Sequence, residues 1–547
     1  ILSRDQKQDL SDNNAFLIVT MDLVNDSKPN RLFALIEIPK EAKRFVVLPK
    51  KEDGKQYVMM LDDLIRYNFN IIFNFFNYNS IVGHMVKITR DAELDIEEDV
   101  SISYVEKIKM IVKDRMISDP VRLVYDKKIP NETLKFVIKK LNIDSTDSLI
   151  PGGKYHHRRD YMNFPSLERQ DLLYPNFSPL PIPNLSLEEN ILEAIAKKDY
   201  LLHAPYQNFA YVFKFLMEAA IDPKVKSIKI TIYRLSKLSR VASSLINAAR
   251  NGKKVLVQIE LQARFDEQNN INFAGQLEAA GVRIIFGIPG LKVHSKICVI
   301  ERVGEKKNLR FGFISTGNFN ESTAKIYTDF TLFTANQKIL KEVNKVFNFL
   351  EVSYKFKKYK HLIVSPHHSA SILSKLIDKE ITNNKKGLQS GISLKINNIT
   401  NYSLVNKLYE ASQAGVEVKM IVRGVCCLVP GVKGLSENIK VISVVDKFLE
   451  HPRVYIFKNA GDRKIYLSSA DWMTRNIENR VEVGCPIYDK DLQQEILDTF
   501  NISWNDNVKA RIVNKTPQNK INKPLARETK LRSQWLTYAY YQNRLNQ

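Results

Sequence analysis

The chain repeats itself, and that constrains its fold more than any other feature. Five segments, SIKITIYR, AARNGKKVLVQIELQAR, GVRIIFG, KVHSKICVI and ISTGNFN, are followed in the same order by SLKINNIT, ASQAGVEVKMIVRG, IKVISVV, LEHPRVYIF and LSSADWM. A shared architecture accounts for one or two such matches; five in order, with matching polar positions, indicate an internal duplication. Strand and helix patterns alternate from about residue 185, so each copy reads as an α/β domain. In the register this sets, His294 aligns with His451 and Lys296 with Arg453. Asn318 aligns with Asp471, Asp329 with Glu482 and Tyr327 with Arg480, each pair 153 positions apart.

The rest of the chain is organised around this duplication. Residues 1–173 mix strand patterns (FALIEIP, RFVVLP) with helical stretches such as YVEKIKMIVKDRM, an α+β pattern. The segment YPNFSPLPIPNLS then places Pro175, Pro179, Pro181 and Pro183 where neither a helix nor a central strand can continue. Ser186 with Glu189 three residues on reads as a capping box opening the helix LEENILEAIAKK. A second boundary is expected near residue 361, in YKFKKYKHLIVSP. The expected order is an α+β head domain over 1–180, a first α/β domain over 181–361 and a second over 362–547.

Composition then limits the partners. Among 547 residues, 82 Lys and Arg against 60 Asp and Glu give a formal charge of +22, which favours a polyanion: nucleic acid, an anionic membrane surface or a phosphate polymer. No apolar run reaches the roughly 18 residues of a membrane helix, so no transmembrane segment is expected. Cys298, Cys426, Cys427 and Cys485 have no zinc-ligand spacing and read as buried free thiols of a reducing cytoplasm. The chain begins at Ile1 without a methionine, so its true amino terminus is expected to lie upstream. The tail 509–534 is strongly basic; a solvated face is the plain reading, and a path for an anionic polymer the functional one.

Chemistry concentrates on the repeated polar positions. A histidine and a cation two residues apart on a strand share one face. Two copies packed about a pseudo-twofold axis would turn both histidines to one cleft, with Lys296 and Arg453 beside them. A neutral imidazole is a competent nucleophile toward phosphorus, and the cations would stabilise charge on the equatorial oxygens. An acidic residue such as Asp329 or Glu482 would hold the far ring nitrogen, and the partner histidine would protonate the leaving oxygen. Arg234 and Arg264 end strand patterns of the first copy and Arg423 one of the second, where α/β folds bind ligands; a surface ion pair is the competing reading. Three convergent guanidiniums would suit a polyphosphate. The histidines of YHHRRD, His156 and His157, fit a solvated loop. No Asp/Glu/His spacing marks a metal cage, so any Mg²⁺ is expected to arrive with phosphates.

The stretches LQARFDEQNNI, GLKVHSKICVI, STGNFNESTAKIYTDF, IVRGVCCLVPG, FLEHPRVYIF and YLSSADWMTRNIENRVEV closely resemble bacterial polyphosphate kinases of the ATP-dependent, histidine-phosphorylated type. The resemblance is dense over 185–547, and ITRDAELDI and GGKYHHRRDYMNFP extend it through the head. It implies two duplicated domains like those of the phospholipase D superfamily, although the second copy carries Arg453 where that pattern has lysine. It also implies that His294 is the phosphohistidine nucleophile; the repeated polar positions add His451, Lys296 and Asn318 to the catalytic group. Tyr327, Arg423 and His451 would contact ATP, with Arg480 added through the repeat. Arg234 and Arg264 would form the Mg²⁺–phosphate site by binding the phosphate oxygens that carry the metal. The expected partners are ATP, ADP, inorganic polyphosphate and further copies of the chain, without nucleic acid. The expected place is the cytoplasm, with peripheral attachment at the inner membrane admitted. A counterpart of the family's amino-terminal helical domain is not expected within this sequence. A phosphodiesterase or nuclease of the phospholipase D superfamily is the alternative activity, and a non-catalytic polyanion binder the other.

Overall fold

Residues 1–2, 14–24, 30–39, 41–90, 120–143, 148–236, 239–260, 267–288, 290–305, 308–352, 358–516, 518–522 and 529–546 are described by the computed structural model. The chain divides into two units, Ile1–Pro175 and Asn176–Gln547.

In the first unit a five-stranded sheet runs Asn30–Glu37, Phe16–Leu23, Tyr78–Arg90, Pro120–Asp126, Ser148–Gly152, antiparallel except for the last pair. Alternation along Phe16–Leu23 sends Phe16 and Ile18 to one face, under Val137 of helix Asn131–Lys140. Val19 and Met21 go to the other face, against Phe69 and Phe73. FALIEIP falls mainly in strand Asn30–Glu37 and RFVVLP spans strand Phe45–Val47. The helical stretch YVEKIKMIVKDRM lies outside the described residues. The YHHRRD segment is only partly solvated: Arg158 and Arg159 are exposed, His156 and His157 half-buried and Asp160 buried. His157 donates from Nδ1 to Asp160 (2.8 Å), and buried Asp160 also meets Arg44 (2.7 Å), an ion pair that anchors the loop.

In the second unit the duplication is visible strand by strand. The first copy runs, edge to edge, Arg283–Phe286, Lys254–Ile259, Val225–Ile232, Lys296–Arg302, Leu309–Ser315, Tyr327–Thr334, with Tyr200–Ala204 beyond. The second runs Ile439–Val444, Val418–Val422, Ile392–Ile396, Arg453–Phe457, Lys464–Ser468, Arg480–Ile487, with Ile363–Ser365 beyond; an extra strand, Ala510–Val513, pairs antiparallel with Ile439–Val444 and is unmatched among the described strands of the first copy. Parallel and antiparallel pairings also match position for position. The copies share one core. Ile297, Val299 and Ile314 of the first and Val454, Ile456, Val481 and Val483 of the second belong to a single hydrophobic cluster. It also contains Val343 and Phe347 of helix Gln337–Glu351 and Ile496 and Phe500 of helix Lys490–Trp504. Tyr455 and Phe457, alternating with Val454 and Ile456, are buried on the opposite face, so this central strand is apolar on both sides.

Two expectations change here. The helix after the proline-dense segment is Ile191–Lys197, capped by Asn190, whose side chain accepts the Glu193 N–H (3.0 Å). Ser186 instead accepts the Glu188 N–H, a local turn that competes with capping (3.1 Å). The buried Glu218 carboxylate takes the N–H groups of Ile191 and Leu192, so tertiary structure also sets where this helix begins. The four cysteines are free, but only Cys298 and Cys485 are buried; Cys426 is half-buried and Cys427 exposed. The latter two follow strand Val418–Val422 in a loop. No described helix is long and apolar enough to cross a membrane.

Candidate active site

Each histidine is delivered by a two-residue strand that joins the other copy's sheet. Lys292–Val293, just before His294, pair in parallel with Arg480–Val481. Leu449–Glu450, just before His451, pair in parallel with Tyr327–Thr328. The backbone N–H groups of His294 and Ser295 both reach the Val481 carbonyl (3.0 and 2.9 Å). The His451 N–H reaches Thr328 Oγ1 (3.2 Å).

The crossing decides which acid holds which ring. His294 Nδ1 donates to both oxygens of Glu482 (2.9 Å each), and His451 Nδ1 to those of Asp329 (2.9 and 2.8 Å). An ionised carboxylate only accepts, so each Nδ1 carries the proton and each Nε2 keeps its lone pair. The acids are themselves fixed. Thr316 Oγ1 donates to Asp329 (2.6 Å), and Ser469 Oγ, its counterpart 153 positions on, donates to Glu482. Asn476 adds a second donor to Glu482 (2.6 Å). In the first copy an added Cβ on Gly317 would lie 2.0 Å from an Asp329 oxygen, so only glycine lets that carboxylate sit there.

Burial governs the charge states. Desolvation pushes the His294 imidazole down to about 3, aided by Lys296 and Arg480 and opposed by Glu482. His451 is lowered for the same reason, with Arg453 and Lys296 adding to burial and Asp329 opposing. Lys296 is buried and drops to about 7, with Arg453 and Arg480 repelling its charge and Glu482 and Asp329 attracting it. Its ammonium donates to the His294 carbonyl. Arg453 is held by Asp471 (3.0 Å), whose carboxyl is brought down to about 2 by Arg453 and the N–H groups of Asn397 and Asn398, against burial.

The remaining expected residues mostly converge here. Tyr327 lies against His451, ring centroids 5.1 Å apart. Arg423 donates to Asn397 (3.2 Å), which donates to the His451 carbonyl (3.2 Å). Arg480 sits on the strand that receives the His294 segment. Asn318 is half-buried, its side-chain oxygen without a hydrogen-bond partner among the described residues. Arg234 stands 5.6 Å over the ring of Tyr233, which packs edge-on to His294 (5.2 Å). Arg264 lies outside the described residues. Sequence reasoning missed Thr316, Ser469, Asn476, Asn397 and Glu260, whose carboxylate anchors the Val293 N–H (2.8 Å). For Thr316 and Ser469 the repeat register held the signal; the others match nothing in it.

The chain matches the family models "Polyphosphate kinase middle domain" over residues 2–164, "Polyphosphate kinase C-terminal domain 1" over 190–356 and "Polyphosphate kinase C-terminal domain 2" over 362–534. It belongs to the polyphosphate kinase family. A polyphosphate kinase of Vibrio parahaemolyticus is 45% identical over 542 residues, 98% of this chain and 77% of that protein. The Escherichia coli K12 polyphosphate kinase is 44% identical over 518 residues, 93% and 74% respectively. The crystal structure of the Porphyromonas gingivalis polyphosphate kinase superposes with a TM-score of 0.84 at 33% identity, covering 100% of this chain and 80% of that one. Within this polyphosphate kinase fold, no cluster of three His, Cys, Asp or Glu among the described residues could cage a cation. Guanidinium, ammonium and imidazole groups stand around the site, a donor set whose chemistry suits phosphate oxygens.

Proposed function

We propose that this chain reversibly transfers the γ-phosphoryl group of ATP to inorganic polyphosphate through a phosphohistidine on His294 Nε2. The observation that carries this reading is the neutral, buried His294 ring, anchored at Nδ1 by Glu482 and flanked by Lys296. In the first step the Nε2 lone pair bonds to the γ-phosphorus as the bond to the bridging oxygen breaks and ADP leaves. The ring becomes cationic, and Glu482 stabilises it through the Nδ1 proton. In the second step a terminal oxygen of the chain attacks phosphorus, the P–N bond breaks and the lone pair returns to Nε2. Lys296 and Arg453 offset charge on the transferring group, which is most of what a protein contributes to phosphoryl transfer. His451, whose Nε2 is unprotonated at rest, first takes up a proton from solvent and then passes it to the leaving oxygen; burial, which lowers its basicity, makes that protonated form a strong acid. Asn318, by an amide flip, presents its NH₂ to the phosphate.

Tyr327, Arg423, His451 and Arg480 take the nucleotide, and Arg234 and Arg264 the phosphate oxygens that carry Mg²⁺. The ion supplies charge neutralisation when it arrives with the nucleotide. The three-part division at 180 and 361, a cytoplasmic setting supported by four free cysteines, and self-association as the resemblance implies complete the reading.

Incubation with γ-labelled ATP and Mg²⁺ tests it. Acid-labile label on the chain and labelled polymer are expected, and both vanish in His294→Ala. Label that persists in that variant overturns the mechanism.

A further inference from the structure

The first unit holds a cavity remote in sequence from every residue assigned above. It has a volume of about 440 Å³, within the range of ligand pockets, and is lined by Arg66, Lys127, Lys128 and Lys154 with His84, Phe69 and the backbone around Gly83. Its geometry follows from the sheet. Strand Tyr78–Arg90 outruns its neighbour Pro120–Asp126, whose pairing stops at Val86 opposite Tyr125. Residues 81–84 therefore line open space instead of a partner strand. The turn that ends the neighbour supplies Lys127 and Lys128, helix Leu61–Tyr67 supplies Arg66, and Lys154 follows strand Ser148–Gly152. An added Cβ at Gly83 would lie 2.5 Å from the Phe69 ring, so glycine lets the helix side close on the strand.

The charge around the cavity is unbalanced. Asp63 answers Arg66 (2.7 Å) and Lys154 (2.8 Å). Asp126, the one lining carboxylate, spends an oxygen on the Lys128 N–H (3.0 Å). Lys127 and Lys128 are exposed and make no ion pair among the described residues. Two buried nitrogens beside the cavity, Arg66 Nη2 and His84 Nδ1, also lack hydrogen-bond partners there. Such groups call for an explanation, and an anion supplies one.

We infer that this cavity is a second, non-catalytic site for a short inorganic phosphate chain. The cations come from three separate elements around one opening, so a ligand bearing several phosphates in a row meets them all where a single carboxylate does not. Choosing a phosphate chain over other oligoanions rests on the function proposed above.

Equilibrium dialysis of tripolyphosphate against the full chain tests the site. Two chains bound per protomer are expected for the unaltered protein and one for Lys127→Ala/Lys128→Ala, with phosphorylation of His294 unchanged. Lys50→Ala/Lys51→Ala, which removes the same charge elsewhere in the head, keeps both. Equal counts in the unaltered protein and the Lys127/Lys128 variant overturn the site, as does an equal loss in the Lys50/Lys51 variant. A count of one falling to none leaves the head site standing and removes the catalytic-site reading instead. Displacement of the Lys127/Lys128-dependent chain by a single-stranded oligonucleotide of equal charge overturns the assignment to inorganic phosphate.

Discussion

Lys296 is the group in the site poised to change charge near neutrality. Below about 7 it is an ammonium; above, burial and the neighbouring Arg453 and Arg480 strip its proton. His294, pushed down to about 3, stays neutral on either side of that change, so the nucleophile does not titrate with it. The sign follows: phosphohistidine formation is fastest while Lys296 is charged and falls as the pH rises through 7. A guanidinium keeps its proton throughout. Lys296→Arg, which copies what Arg453 does in the second half, is therefore expected to carry the plateau at least a unit further into the alkaline range. Single-turnover labelling across pH 6 to 9 checks this, and an unchanged alkaline limb refutes the role of Lys296.

Among the elements, the short loops behind the acids are the tightest. Gly317 leaves Asp329 its place, and the same position in the second copy is Ala470, serving the longer Glu482. Gly317→Ala is expected to displace Asp329, loosen the His451 ring and slow transfer by about a hundredfold, the size of a lost general-acid contribution. Far-ultraviolet circular dichroism should stay unchanged, because neither sheet is touched. Near-normal turnover with an unshifted His451 proton resonance would sink the argument. The same elements show where reading the sequence ran out. The repeat register placed His294, His451, Asp329 and Glu482 as a constellation. It did not say which acid serves which histidine, because the partners lie 188 and 122 residues apart. What joins them are two strands of two residues each, too short to leave an alternating pattern. The start of helix Ile191–Lys197 was misplaced for a related reason, since Glu218 fixes it from another helix.

Across the whole molecule, the fold of the second unit was largely legible, because each copy carries the alternation of its strands and the two copies check one another. The shared core and the crossed pairs were not, since they exist only when both copies are folded together. A fragment that stops near residue 361 keeps His294 and Lys296 but lacks Glu482 and half of the common hydrophobic cluster. It is expected to take no label from ATP alone, and co-production with the complementary fragment should restore labelling. Label on the isolated fragment would contradict the requirement for both halves. The crossing also bears on descent. A single copy would need a second identical molecule to orient its histidine, so the duplication holds within one chain a partnership that separate copies would have to form by association. Afterwards neither copy was free to lose its acid, for the damage would fall on its sibling. Lysine and arginine could part ways at 296 and 453, where neither side chain holds the other copy's histidine: Lys296 donates to the His294 carbonyl, and Arg453 is held by Asp471 and also reaches the Thr316 carbonyl (3.4 Å). The traded acids stayed acids.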